Sequence, residues 1–387
     1  MLAFFFCMGI QARLSREPWS LEIPQVQELL LKIRHNGTAL SEYSGLHPLI
    51  GIMPGLSEAY LVDTNTRNIL VQRDTKCAKL IKPYLRGQDL RRWHPEWAGL
   101  WMIAMGSSND TEWPWASTTD ETEAEAAFEK TYPPLHSHFK SFEEALRKRF
   151  PQNIGRFWWE VRTCQYWGAF EQPKMVYQDI TWLPKFCRAE AGMMVNSTIY
   201  FLPLVDPWLL AVLNSPAGWW FAFRTAQHGK DEALRYFTTF VESFPIPRPK
   251  RDAMDSYQTL VDELIESSHK QQTVGQGMLD WLRVQHGIED PSNKLREPIS
   301  LDSDTLVAEV QKARIRRNPL TAAGLRSLRE EYTRTIEPAR LLAAEALQLE
   351  YRLHDLVNEA YGLTPEEIRQ MWDTAPPRMP VPRPASV

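Results

Sequence analysis

The residues whose types and spacing could do chemistry are cations and amides set among aromatic rings. Lys82, Arg86, Arg91 and Arg92 belong to a stretch from Lys76 to Gly99 with six Lys and Arg against two acids, a local +4 in a chain of formal net charge −4. Pro83 and Gly87 interrupt any helix there, so these cations sit on a turn-rich connection able to lie along a phosphate backbone. A solvated loop whose arginines pair with carboxylates is the plain alternative. Arg147, Lys148 and Arg149 close a run of helical spacing, where they either complement the helix dipole or reach a phosphate. Between Arg156 and Asp179, the side chains of Arg156, Arg162, Gln165, Lys174 and Gln178 stand beside many aromatics. Arg can bond two acceptors on guanine and Gln two groups on adenine, so such types can read base edges in a groove.

Other chemistries lack their residues. Cys7, Cys77, Cys164 and Cys187 are widely separated, with no CxxC and no clustered His. Neither a disulfide framework nor a zinc site is expected, and the thiols should be reduced in a cytoplasmic protein. Metal-dependent cleavage needs an Asp followed by Glu/Asp-x-Lys at a strand end, and no persuasive instance occurs. The apolar start, Met1 to Ile10, is too short to span a bilayer and has no basic residue before it, so it reads as the remnant of a preceding domain or an alternative start.

The elements that must position these residues are mixed. At 387 residues, 43% hydrophobic and 24% charged, the chain is ordinary globular material for two or three domains. Its pI near 6.2 confines any nucleic-acid footprint to a patch. Helical spacing over Ile23 to Gly37 predicts a lead-in helix with a left-handed cap at Gly37. Ala59–Val62 and Asn68–Val71 read as two strands of a hairpin. Trp93, Trp97 and Trp101, at spacing four, could line one face of a helix. They are the first of twelve tryptophans between Trp93 and Trp220, and most such rings belong to cores. A tryptophan-rich surface that binds sugar rings is a rival, but it does not explain the interleaved arginines. Asp120 to Glu129 predicts an acidic helix on a solvent face, and Leu135, Phe139, Phe142, Leu146 and Phe150 predict another helix. Asp206 should cap a helix through Leu213, and Gln227 to Lys230 should be a mobile turn. Pro245 to Pro249 reads as a stiff linker. Beyond it the pattern is helical and acidic, 20 acids against 14 Lys and Arg from Ala253 to Trp372. Pro338 should break or kink one helix, Thr364-Pro365-Glu366-Glu367 should start the last, and Pro376 to Pro384 should be a disordered tail.

Several words now gain meaning from their order: Gly51-Ile52-Met53-Pro54-Gly55, Lys79 to Trp93, Tyr132-Pro133-Pro134-Leu135, Trp158-Trp159-Glu160-Val161-Arg162, Pro173 to Ile180, Asn196 to Phe201, Leu210 to Ser215 and Phe244-Pro245-Ile246-Pro247. In this order, over roughly Leu46 to Pro247, the chain resembles the TaqI-like C-terminal specificity domain, the target-recognition part of adenine-specific DNA methyltransferases in type IIG restriction–modification and related phage-defence systems. Leu353 to Thr364 resembles the helical ends of the same families. Met53-Pro54 departs from the basic residue and Thr that usually precede the glycine.

The resemblance implies an α+β protein organised as a remnant and lead-in helix (1–45), a mixed-sheet target-recognition domain (46–247), a helical region (248–372) and a disordered tail (373–387). It implies double-stranded DNA as partner, with phosphate contacts from Lys82, Arg86, Arg91, Arg92, Arg147, Lys148 and Arg149 and base reading from Arg156, Arg162, Gln165, Lys174 and Gln178. The Asn- or Asp-Pro-Pro-Tyr word and the glycine-rich cofactor turn of the methyltransferase domain do not occur. No catalytic, cofactor or metal residue is therefore expected here, and S-adenosylmethionine would belong to a missing or partner methyltransferase subunit. A cytoplasmic location without membrane attachment is expected. A protein-interaction scaffold, or an inactive remnant that has lost DNA binding, is the other reading.

Overall fold

The computed structural model describes residues 23–314 and 319–387. The apolar start and Cys7 lie outside them. The chain is α+β, with small mixed sheets set among many helices.

Two four-stranded sheets form the centre. In the first, Leu49–Ile50, Ile199–Leu202, Lys174–Gln178 and Cys187–Ala189 lie side by side in that order, all antiparallel. In the second the order is Leu61–Asp63, Leu100–Ile103, Ile81–Leu85 and Met194–Val195, the last pairing in parallel. Met194–Val195 and Ile199–Leu202 are separated by one short turn, so the two sheets are tied by consecutive strands. Strand Lys174–Gln178 is buried along four of its five residues, as a central strand covered on both faces must be. The second sheet shares a core with Trp115, Phe128, Phe139, Trp159 and Phe170, all fully buried. Each such ring contributes about 2–3 kcal/mol of burial.

A second core joins the lead-in helix Pro24–Asn36 to Pro207–Asn214, Pro216–Thr225, the long helix Met254–His286, Glu337–Ala360 and the C-terminal residues. Strand Gly37–Ala39 pairs with Pro245–Pro247, and Lys32 meets Glu367 at 2.6 Å. The lead-in therefore packs with the C-terminal helices, and the expected segments interleave. A third, smaller core fills the space between Met278 and Ile336.

Local signals with a self-contained partner come out as expected. Asp206 caps Pro207–Asn214 and Asp120 caps Glu121–Thr131, while Thr364 and Glu367 form a capping box around Pro365. Signals that depend on neighbours do not. Ala59 and Tyr60 end a short helix and Thr64–Arg73 is helical, leaving only Leu61–Asp63 as strand, because Asp63 caps the helix that follows it. Gly37 is extended and enters a strand. Trp93 and Trp97 lie in a loop and Trp101 in a strand, so they share no helical face. The Leu135–Phe150 run is split into Pro133–Lys140 and Glu143–Arg147, with Phe150 outside and 70% exposed. Gln227–His228 pairs with Leu234–Arg235 as a hairpin.

Proline placement brings the largest corrections. Pro245–Pro247 is a buried, paired strand rather than a linker. Ahead of Pro338 the helix loosens into a π-type turn, Tyr332–Ile336, and continues. A wider turn absorbs the missing N–H without breaking the rod. The proline tail is packed, not disordered: Val381 is buried, Trp219 donates its indole N–H to the Arg378 carbonyl at 2.7 Å, and Tyr351 donates to that of Pro382 at 3.2 Å. No described helix is long and apolar enough to cross a membrane.

Candidate nucleic-acid interface

Three chain segments meet where the sheets join. Strand Ile81–Leu85 runs out into the turn Arg86–Asp89, strand Lys174–Gln178 ends beside it, and Asn196–Thr198 crosses from one sheet to the other. The Asn196 amide donates to the Leu85 carbonyl at 3.0 Å, and that of Asp179 to the Thr198 carbonyl at 3.1 Å. Glycine at 87 lets the segments close up: a Cβ there would stand 2.8 Å from Thr198 Oγ1 and 3.1 Å from Gln178 Nε2, and those side chains would have to shift. Gly51 is constrained more tightly, since a Cβ there would fall 2.0 Å from the Asn196 backbone carbonyl oxygen. The result is a polar ledge of Arg86, Gln88, Gln178, Asn196 and Thr198.

The ledge is held rigidly. Arg86 clasps the buried Asp89 through two bonds, Nε at 3.1 Å and Nη2 at 2.8 Å, and Asp89 also accepts from the Arg86 amide at 2.8 Å. That hydrogen bonding, outweighing partial desolvation, raises the guanidinium pKa further. With its amide oxygen turned to Arg86, Gln88 accepts at 3.0 and 3.2 Å. Beyond Gln178, Asp179 receives a two-bond clasp from Arg235, at 3.0 and 2.8 Å, that fixes the Gln227–Arg235 hairpin alongside. Ile180 and Trp182, each 40% exposed, border this edge.

The expected contact residues do not share one fate. Lys174 is fully buried, its ammonium donating to the carbonyls of Phe170, Met193 and Glu190 at 2.8, 3.1 and 3.2 Å. Desolvation pulls its pKa down to about 8, whereas three acceptors in a cage favour the charged form. Either way it cannot reach a base. Arg149 is also buried, donating to the carbonyls of Pro54 at 2.9 Å, Trp158 at 2.6 Å and Glu160 at 3.0 Å. It ties loops together and is withdrawn from any phosphate. Arg92 is mostly covered and bonded to Glu350 and, at 2.7 Å, to the Pro380 carbonyl. Arg156 is half-buried and donates to the Ala116 carbonyl at 2.6 Å.

Others remain at the surface but paired. Lys82 meets Glu171 at 3.0 Å, Arg91 meets Glu96 at 2.7 Å, Arg147 meets Glu121 at 2.6 Å, and Lys148 meets Glu144 at 2.5 Å. Arg162 is half-buried and Gln165 exposed. The ledge gathers Arg86 and Gln178 only, while Arg147, Lys148 and Arg149 belong to the segment that follows the acidic helix. Gln88, Asn196 and Thr198 were not among the expected contacts. All three lie in the words that carry the family resemblance, and Asn196 and Thr198 also form a local turn, in which Asn196 Oδ1 accepts from the Thr198 amide and hydroxyl at 3.2 and 2.8 Å. Glu160 is a further buried carboxylate, accepting from Trp115 at 2.9 Å and from the Arg156 amide at 2.8 Å. No group of three or more His, Cys, Asp or Glu suited to a metal exists among the described residues.

Comparison with known proteins adds three likenesses. A family described as a domain of unknown function, DUF8810, matches residues 250–357. The Type II methyltransferase M.BstVI of Geobacillus stearothermophilus is 20% identical over 265 residues, which cover 66% of this chain and 42% of that protein. The chain thus spans less than half the length of this curated relative. The structure of the type IIL restriction–modification enzyme MmeI in complex with DNA superimposes with a TM-score of 0.41 at 11% identity, over 85% of this chain and 35% of MmeI.

Proposed function

We propose that this chain reads a DNA sequence for an adenine-specific, S-adenosylmethionine-dependent methyltransferase of a restriction–modification or phage-defence system, with residues 46–247 as the recognition unit and methyl transfer supplied from outside the chain described here. The observation that carries this reading is the convergence of three of the family-like words, around Arg86, Gln178 and Asn196, on one rigid polar ledge. Distant similarity to a Type II methyltransferase supports it. A planar amide at a strand end suits paired bonds to adenine, and a clasped guanidinium suits guanine or phosphate. The half-buried Arg162 and the exposed Gln165 stay as further base-reading candidates, and Lys82, Arg91, Arg147 and Lys148 as phosphate contacts.

The test is fluorescence anisotropy of the purified chain with labelled duplex DNA, together with recovery of partners on the tagged chain from its own cells. Binding that falls on substitution of Gln178, and a co-purifying methyltransferase, are the expected results. A specific observation favours the scaffold reading as well: Lys82, Arg86 and Arg91 of the basic stretch already have acidic partners within the chain. A folded chain with no affinity for duplex DNA and a stable non-nucleic-acid partner would establish that alternative.

A further inference from the structure

The turn that forms the ledge continues to Arg91–His94, where the Trp93 backbone bridges to the edge strand at Cys187 while side chains on either side of it dock on the C-terminal helices. Arg92 donates from its guanidinium to Glu350, and Trp93 donates its indole N–H to the other oxygen of the same carboxylate at 3.1 Å. Glu350 lies on helix Glu337–Ala360 and is almost covered, with 11% of its side chain exposed. The long helix Met254–His286 grips the same peptide. Gln272 donates to the His94 carbonyl at 2.8 Å and meets His94 Nδ1 at 2.9 Å, Ser268 donates to the Arg92 carbonyl at 3.3 Å, and the His269 ring packs against that of His94 at a tilt, centroids 4.7 Å apart. Trp93 takes a left-handed backbone, φ 72°, uncommon for a bulky residue. Such a conformation persists where surroundings over-determine it. Here they do: its amide donates to Phe186 and its carbonyl accepts from Arg188, both at 3.1 Å.

We infer that Glu350 is a positioning residue for DNA recognition, and that the helical region matching a domain of unknown function serves to set the Arg86–His94 turn against the ledge. The inference rests on the DNA-reading proposal and goes beyond it by giving residues 250–357 a task. The physical reason is the length of the lever. Arg86 and Arg92 are six positions apart on one turn-rich segment, cross-braced by Glu96 N–H to the Asp89 carbonyl at 2.7 Å and by Arg91 to Glu96. Releasing the Arg92 end frees the Arg86 end to move, and base reading tolerates little displacement. Glu350 touches no nucleic acid in this scheme; it acts through Arg92 and Trp93.

The experiment compares wild type with Glu350→Ala, Glu350→Gln and Gln272→Ala in the full chain. Two readouts are taken: amide hydrogen exchange over Arg86–His94, and anisotropy with a labelled random-sequence duplex. Glu350→Ala should speed exchange in the turn by about tenfold or more while the central strands stay protected, and weaken DNA binding by about tenfold. Glu350→Gln keeps an acceptor for Trp93 and should recover part of both effects. Gln272→Ala, which removes the two half-buried contacts to His94 and leaves the buried carboxylate, should show the same pattern more weakly in a chain that folds. Unchanged exchange in the turn would overturn the positioning role. Faster exchange with undiminished DNA affinity would overturn its link to recognition. Wild type that fails to bind duplex DNA would overturn the proposed function and that link together, and the exchange arm alone would then report whether the helices hold the turn.

Discussion

At the scale of single residues, the chain separates cations that build the fold from cations that face solvent, and their sequence surroundings do not distinguish them. Arg147, Lys148 and Arg149 are adjacent, yet only Arg149 turns inward, because Pro54, Trp158 and Glu160 bring carbonyls to it from two distant loops. Arg149→Ala should therefore cost about 3–5 kcal/mol, since several buried acceptors lose their donor. Lys148→Ala, at an exposed ion pair, should cost less than about 1 kcal/mol. Urea denaturation of the two variants checks the contrast, and equal small losses would contradict it. Gln178→Ala should leave stability nearly unchanged and relax discrimination at one base pair by about 1–3 kcal/mol. Binding to a set of single-base variants measures this, and a uniform loss across all sequences would assign Gln178 to the backbone instead. Asp206 and Thr364 were legible because a cap and its partner lie within a few residues. Lys174 was not, since its three carbonyls come from the end of one short helix at Phe170 and from the Glu190–Met193 turn some twenty positions on.

At the scale of elements, the contact between the Arg91–His94 turn and the C-terminal helices includes a buried histidine whose protonation is linked to folding. Burial and the neighbouring Arg92 charge hold His354 neutral, its pKa well below the usual value, and Glu350 stands 3.7 Å away. The unfolded chain takes up a proton at His354 near pH 6.5, whereas the folded chain does not. Unfolded protein then binds more protons, so stability is complete above that pH and falls as pH drops below it, by up to about 1.4 kcal/mol per unit. His94, His138 and His286 shift in the same direction, each chiefly through burial. Denaturation midpoints at pH 5 and pH 7.5 should thus differ, and His354→Leu should shrink the difference; an unchanged difference would rule out His354 as a contributor. The proline tail makes a second prediction. Removing residues 376–387 takes away the carbonyl partners of Arg92 and Trp219, so the truncated chain should melt earlier and be cleaved faster by protease. Proline content alone suggested disorder. The packing against Trp219 could not be seen from composition, because it depends on a helix more than 150 positions earlier.

For the whole molecule, the mixed architecture was legible from alternating strand-like and helical stretches, but the interleaving was not: strand Gly37–Ala39 closes on Pro245–Pro247 across nearly the full length of the expected recognition unit. The same tertiary pairing limits the electrostatics. Of seven expected phosphate contacts, Arg92 and Arg149 are built into the fold, and the five that remain could each release counterions only by exchanging a carboxylate for a phosphate. Five such exchanges limit the salt dependence of binding to a log–log slope no steeper than about −4.5. Anisotropy titrations at several salt concentrations decide it, and a steeper slope would mean that cations outside this set engage the backbone. The most direct test of the account is selection from a randomised duplex pool by wild type and by Gln178→Ala, followed by sequencing of the retained DNA. Wild type should enrich one motif, and the variant should enrich the same motif with one position relaxed. Retention without any enriched motif, or the identical motif from both proteins, would contradict the claim that this ledge reads sequence.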